Sequence, residues 1–231
     1  MHWSNQYNSG PTITSCGLVF LTQIQTDIRA HMSYGPREAL SFFAPLRGRT
    51  ATFLLEDRPT NLDFARSVMG LVAQIPDTAE ILDLDAFYAS NSEQIFRPPT
   101  PPTVATLSVP EPGMDIEGEF AAMFEGTQGV VIVDSLNSFF HLISQDDGSS
   151  RSRKLNFAIA GLTYLARTNA KAVILSMYRR EGFTRWGTGR SISSLSDITA
   201  SVYTNGQDLT IRAERGPGWD GGVFSTRIPS E

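Results

Sequence analysis

The apolar run Val130-Val131-Ile132-Val133 ends in a carboxylate and a hydroxyl, Asp134 and Ser135. Continuous β-branched runs of this kind are buried in parallel sheets, and open α/β sheets bind ligands beyond the carboxyl ends of their strands. A carboxylate at that edge is placed to hold Mg²⁺, usually through water. The competing reading is a buried strand that merely ends in Asp. A second stretch, residues 178–190, sets Arg179, Arg180, Arg185 and Arg190 among Tyr178, Phe183 and Trp186, with Gly182, Gly187 and Gly189 between them. Guanidinium groups neutralise phosphates and aromatic rings stack on unpaired bases, so this composition suits a loop for single-stranded nucleic acid. Arg and Trp also anchor protein partners, and a plain solvated loop is the third reading. A further stretch, residues 145–154, carries Arg151, Arg153 and Lys154.

Other constellations carry less. Asp83 and Asp85 lie in Leu82-Asp83-Leu84-Asp85-Ala86-Phe87-Tyr88-Ala89-Ser90, which resembles the first metal-binding motif of Y-family DNA polymerases. The Ser-Leu-Asp-Glu block of those enzymes is absent, and 231 residues leave no room for palm, fingers, thumb and outer DNA-binding domain. Strand-end carboxylates beside a packed Phe87 are the plainer reading. His2, His31 and His141 have neither mutual spacing nor nearby cysteines suited to zinc. Neither a G-x-S-x-G elbow nor a G-x-G-x-x-G turn occurs.

The segment Asp134-Ser135-Leu136 at the end of its apolar strand is similar to the Walker B strand of the RecA/RadA/KaiC group of recombinase-type ATPases. In that group the chain runs from this strand through a mobile loop, a helix and another strand to a second mobile loop, and the same order can be read from Gly129 to Arg190. The resemblance spans roughly residues 33–228, with its weight after Gly129. It implies an α/β, RecA-like three-layer fold with a mostly parallel central sheet and a C-terminal antiparallel extension. It also implies a nucleotide and Mg²⁺ position at Asp134 and Ser135. DNA contacts would come from Arg151, Arg153, Lys154, Arg179, Arg180, Phe183, Arg185, Trp186 and Arg190.

The nucleotide site departs from the family pattern. A phosphate loop of the form GxxxxGK[ST] needs glycines for the backbone cradle, a lysine for the terminal charge and a hydroxyl for Mg²⁺, and the chain has no such string. The stretch that looks equivalent, Ser33-Tyr34-Gly35-Pro36-Arg37-Glu38-Ala39-Leu40, keeps Gly35 but lacks the second glycine, the lysine and the hydroxyl. Arg37 is a bulkier, planar substitute for the lysine. Asp57, or Glu56 with a slip of one residue, falls where the family carries the glutamate that orients the attacking water. Without a phosphate cradle a hydrolytic residue has little to position, so ATP and Mg²⁺ are disfavoured as cofactors. The expectation is a degenerate RecA-like accessory protein of DNA recombination or repair that binds single-stranded DNA, a RecA/RadA-like partner or further copies of itself. The alternatives are a nucleotide-independent ring or scaffold subunit, as in the Elongator accessory subunits or KaiC-type motility proteins, and a weak ATPase with an atypical phosphate loop.

These groups require elements to hold them. An apolar content of 41% and a charged content of 19% suit one globular domain over residues 1–231. A lone cysteine, Cys16, cannot form an internal disulfide, and no run of 18 apolar residues is present, which points to the cytoplasm and away from a membrane. The polar residues 1–10 read as a flexible N-terminus without a secretory layout. The net charge of −5 hides a division: residues 1–150 carry 7 Lys/Arg against 18 Asp/Glu, and residues 151–231 carry 12 against 6. A C-terminal third of that sign can face a polyanion.

Residues 17–24 and 28–34 are apolar runs. Strands are expected at 50–55, 79–84, 129–133 and 172–175, with helices at 62–74, 116–124 and 152–168. Residues 97–113, holding Pro98, Pro99, Pro101, Pro102, Pro110 and Pro112, read as an extended loop or connector. Short strands at 198–203, 209–213 and 223–228, joined at Asn205-Gly206 and Gly216-Pro217-Gly218, read as an antiparallel close to the domain.

Overall fold

Four apolar runs of β-branched and aromatic residues lie side by side because each can be buried on both faces. The computed structural model describes residues 34–96, 105–111, 118, 129–142, 148–178 and 195–228. The elements in chain order are α1 (Pro36–Phe43), β1 (Arg49–Leu55), α2 (Arg58–Val72), β2 (Ala79–Asp83), the short turns α3 (Phe87–Ser90) and α4 (Ser92–Ile95), and β3 (Ala105–Ser108). There follow β4 (Val130–Asp134), α5 (Leu136–Leu142), α6 (Gly148–Asn169), β5 (Ala172–Tyr178), β6 (Ile198–Asn205), β7 (Asp208–Arg215) and β8 (Val223–Arg227).

The strands form one eight-stranded sheet in the order β3-β2-β4-β5-β1-β6-β7-β8. β3 through β6 along that order are mutually parallel, and β7 and β8 add an antiparallel extension. Successive side chains of a strand point to opposite faces. Ala51, Phe53, Ile132 and Ile174 therefore feed one core, where Phe42 of α1 and Phe64 of α2 meet them. Leu54, Val131, Val133, Val173 and Leu175 feed the other, covered by Leu136 and Phe139 of α5 and by Ile159, Leu162 and Ala166 of α6. Helices pack with both cores of this mostly parallel sheet, which makes the architecture α/β.

The extension is shaped by its glycines. Gly206 has φ +64° in the two-residue turn between Asn205 and Asp208, the left-handed conformation that such hairpin turns demand. Gly216 has φ +87°, and a Cβ there would fall 2.0 Å from the carbonyl oxygen of Asp197. The extension is tied to α1 by Trp219, whose indole N–H donates to the carbonyl oxygen of Phe42 at 3.0 Å while its ring stacks on Phe42 with centroids 5.9 Å apart.

Two expectations are corrected. Residues 97–113 are not wholly irregular: β3 pairs in parallel with β2, Ala105 opposite Ala79. The stretch 103–109 contains no proline, so its amides can join an edge ladder. The stretch 145–154 is not a loop throughout, because α6 already begins at Gly148; Arg151, Arg153 and Lys154 stand on its first two turns. The apolar runs at 17–24 and 28–33, the terminal residues 1–10 and the helix expected at 116–124, apart from a helical Gly118, lie outside the described residues.

Candidate functional site

The two helical connections leave the sheet on opposite sides. From β1 the chain passes into α2, which packs with the first core; from β4 it passes into α5 and α6, which pack with the second. The crevice between such departures, at the carboxyl ends of the strands, is where open α/β sheets bind ligands. Here it lies around the end of β5, between β4 and β1.

The protein fills that crevice with its own side chains. Asp134 is wholly buried at the end of β4, and its Oδ1 accepts a hydrogen bond from the hydroxyl of Tyr178 at 2.8 Å. Asn61, in the first turn of α2, donates through Nδ2 to the same hydroxyl oxygen. Tyr178 is fixed at its backbone as well: its N–H donates to Asn137 Oδ1 at 2.8 Å, and its carbonyl accepts from Asn137 Nδ2 at 3.2 Å. One tyrosine thus joins β4, β5, α2 and α5.

Burial dominates the electrostatics. It pushes the Asp134 carboxyl up to about 7, against the hydrogen bond from Tyr178, which favours the charged form. Burial also raises Tyr178, as does the Asp134 carboxylate beside it. Tyr88 is raised well above the usual phenol range by burial, and then by the charges of Asp134 and Asp83. Among the described residues, Asn61 Oδ1 and Tyr88 Oη are buried without a hydrogen-bond partner, and Ser176 beside Asp134 favours its charged form, against the effect of burial.

The neighbouring carboxylates are also engaged. Asp83, paired in register with Asp134, accepts from the backbone N–H of Phe87 at 2.7 Å and of Ala89 at 2.8 Å, and burial raises its carboxyl. Asp85 accepts from Ser135 Oγ at 2.7 Å and from Ser138 Oγ. No group of three or more His, Cys, Asp or Glu among the described residues is arranged to hold a metal ion. The turn that follows β1 is Glu56-Asp57-Arg58-Pro59, and Asp57 caps α2, its carboxylate accepting from Thr60 N–H at 2.8 Å. A helix N-terminus after a parallel strand is a ready anion site; here the anion is a side chain of the same turn.

The residues singled out in the sequence fall into three groups. Asp134, Ser135, Asp83 and Asp85 are brought together at the carboxyl edge, and Asp57 stands on the helix that contributes Asn61 to it. Gly35 and Arg37 are elsewhere: Gly35 caps α1, which precedes β1, Arg37 is exposed, and the adjacent Glu38 accepts from Thr226 of β8. The helix that reaches Asp134 through a hydrogen-bond chain is α2. Arg179, Arg180, Phe183, Arg185, Trp186 and Arg190 lie outside the described residues. Tyr178, grouped with the stacking residues in the sequence, instead ends β5 with its hydroxyl turned onto Asp134. Asn61 and Asn137 carry no local signal in the sequence, because the partner of both, Tyr178, is far along the chain.

Comparison of the sequence with protein-family models finds none that matches, and comparison with curated proteins finds no relative. Among the described residues no helix is long and apolar enough to cross a membrane.

Proposed function

We propose that this chain is a RecA-like accessory protein of DNA recombination or repair, which binds single-stranded DNA or a recombinase partner and does not itself hydrolyse ATP. The observation that carries this reading is the filled crevice. Asp134, the residue that resembles a Walker B carboxylate, is spent on Tyr178, and the helix that follows β1 is capped by Asp57. Binding is the activity left to such a scaffold, and the basic segments supply it: the arginines that follow Tyr178 in the sequence and the cations at the start of α6. An accessory role in recombination is the one that fits a polyanion-binding, nucleotide-free member of that group.

The test is fluorescence anisotropy with a labelled single-stranded oligonucleotide across a salt series, alongside thermal unfolding with and without Mg²⁺-ATP. Binding is expected to weaken with salt, and the triple change Arg179→Ala, Arg180→Ala, Arg185→Ala is expected to reduce the salt slope by roughly 0.7 per lost phosphate contact. ATP-dependent heat stabilisation, with turnover lost in Asp134→Ala, would overturn the reading in favour of an ATPase. A defined oligomer with no nucleic-acid binding would overturn it in favour of a scaffold or ring subunit.

A further inference from the structure

We propose that the outer face of α6 is a base-stacking strip for single-stranded nucleic acid, with Phe157 and Tyr164 as the two platforms and Arg153 as a phosphate contact. This deepens the binding reading above and rests on it. Phe157 is 82% exposed and Tyr164 67% exposed, although both sit on a helix whose opposite face is packed into the core. A single exposed ring is ordinary, but two large rings aligned on one helix face and rimmed by polar groups form the kind of patch that marks an interaction site.

Spacing puts these groups on one line. Positions 153, 157, 160, 164 and 168 recur every three or four residues and share a helix face; all five are exposed. Between the rings stand only Ala160 and Gly161, and a Cβ on Gly161 would meet nothing within 4 Å. The rings therefore flank a gap. Seven residues of helix rise about 10.5 Å, which is close to three stacking steps of about 3.4 Å. Two consecutive bases fit between the platforms at that separation.

Charge identifies the occupant. Residues 148–169 contain Arg151, Arg153, Lys154 and Arg167 and no Asp or Glu, although the whole chain is acidic at −5. Arg153 is exposed at the N-terminal end of the strip, and Arg167, at the other end, pairs with Asp197. A helix that docks in a protein groove uses apolar anchors at i, i+3, i+4 and i+7, and here the i+3 and i+4 positions are only Ala160 and Gly161; two rings with a gap between them, beside a cationic end and with no acidic side chain on the helix, suit flat, stacked bases joined by phosphates.

The experiment compares the full chain with Phe157→Ala, Tyr164→Ala and the conservative Phe157→Tyr and Tyr164→Phe, using a labelled oligothymidylate and an abasic oligomer of equal length at low salt. Each alanine change is expected to weaken oligothymidylate binding about tenfold, to change abasic binding less than about twofold, and to be rescued by the conservative change. Leu40→Ala, an exposed apolar residue of α1, serves as a control that leaves both affinities unchanged. If the unaltered chain binds the oligomer but the alanine variants bind it equally well, or lose both oligomers alike, the stacking strip is overturned while the arginine-based reading stands. If the unaltered chain binds neither oligomer, the binding reading itself fails. Sedimentation that shows a dimer dissociated by Phe157→Ala would overturn the proposal in favour of contact between copies.

Discussion

Helices α2 and α6 both cross a face of the parallel sheet, and they meet their surroundings in opposite ways. In α2, ten of fifteen residues are buried, among them Asn61, Arg66 and Ser67. Tyr34 lies against it, its hydroxyl donating to Ser67 Oγ at 2.9 Å and its ring so near Gly70 that a Cβ there would come within 2.6 Å. In the described part of α6, only Ile159, Leu162, Thr163 and Ala166 are buried, and its outward side carries two rings in water. Polar side chains on α2 close the sheet's carboxyl edge, whereas apolar ones on α6 are left open. Burial of the one and exposure of the other separate the part of the molecule that holds it together from the part that can meet a partner.

The largest expected break in that contrast is energetic. Phe64 of α2 is fully buried with its ring 4.9 Å from that of Phe53, so Phe64→Ala should cost about 3–5 kcal/mol in urea unfolding. Phe157→Ala, the same change on α6, should fall within about 0.5 kcal/mol of the unaltered protein. Equal losses would dissolve the comparison.

A smaller effect tests the closed edge. Asp134 has its carboxyl raised from 3.8 to about 7, so the folded state keeps a proton that the unfolded chain has released. Stability should therefore fall as pH rises from about 4 to about 7 and level off above, by on the order of 4 kcal/mol. Asp134→Asn keeps an oxygen for Tyr178 and should remove most of that fall; the slope left over belongs to Asp83, which is raised in the same direction. Denaturant melts at a series of pH values provide the measurement, and an unchanged slope in the variant would mean that Asp134 is charged in the fold. The smallest effect concerns the cap: Asp57→Ala should cost about 1 kcal/mol by loss of the bond to Thr60 N–H.

The parallel core was legible in the sequence because its strands are buried on both faces and so read as unbroken apolar runs, as Val130 to Val133 does. The hairpin turns were legible because Gly206 and Gly216 hold conformations that other residues resist. β3 was hidden among prolines, since an edge strand of four residues depends on a neighbour, β2, that no local pattern reveals. The start of α6 was hidden for a related reason: Gly148-Ser149-Ser150 has loop composition, yet the following turns are held by a face packed on the sheet. At the site, the carboxylate at the end of β4 could be read from sequence, but its fate could not. Tyr178 stands before a run of arginines, and its hydroxyl is held by Asn61, 117 residues earlier in the chain. Phe157 and Tyr164 did leave a trace, being aromatic residues that fall off the stripe defined by Ile159, Leu162 and Ala166.

Trp219 gives the antiparallel extension a stake in the rest of the molecule. Its indole touches Phe42, Phe53 and Phe224, with centroids 5.9, 6.3 and 6.1 Å away, so the last hairpin cannot peel from the sheet without wetting the aromatic nest beneath α1. The two ends of the described chain are therefore expected to melt as one cooperative unit.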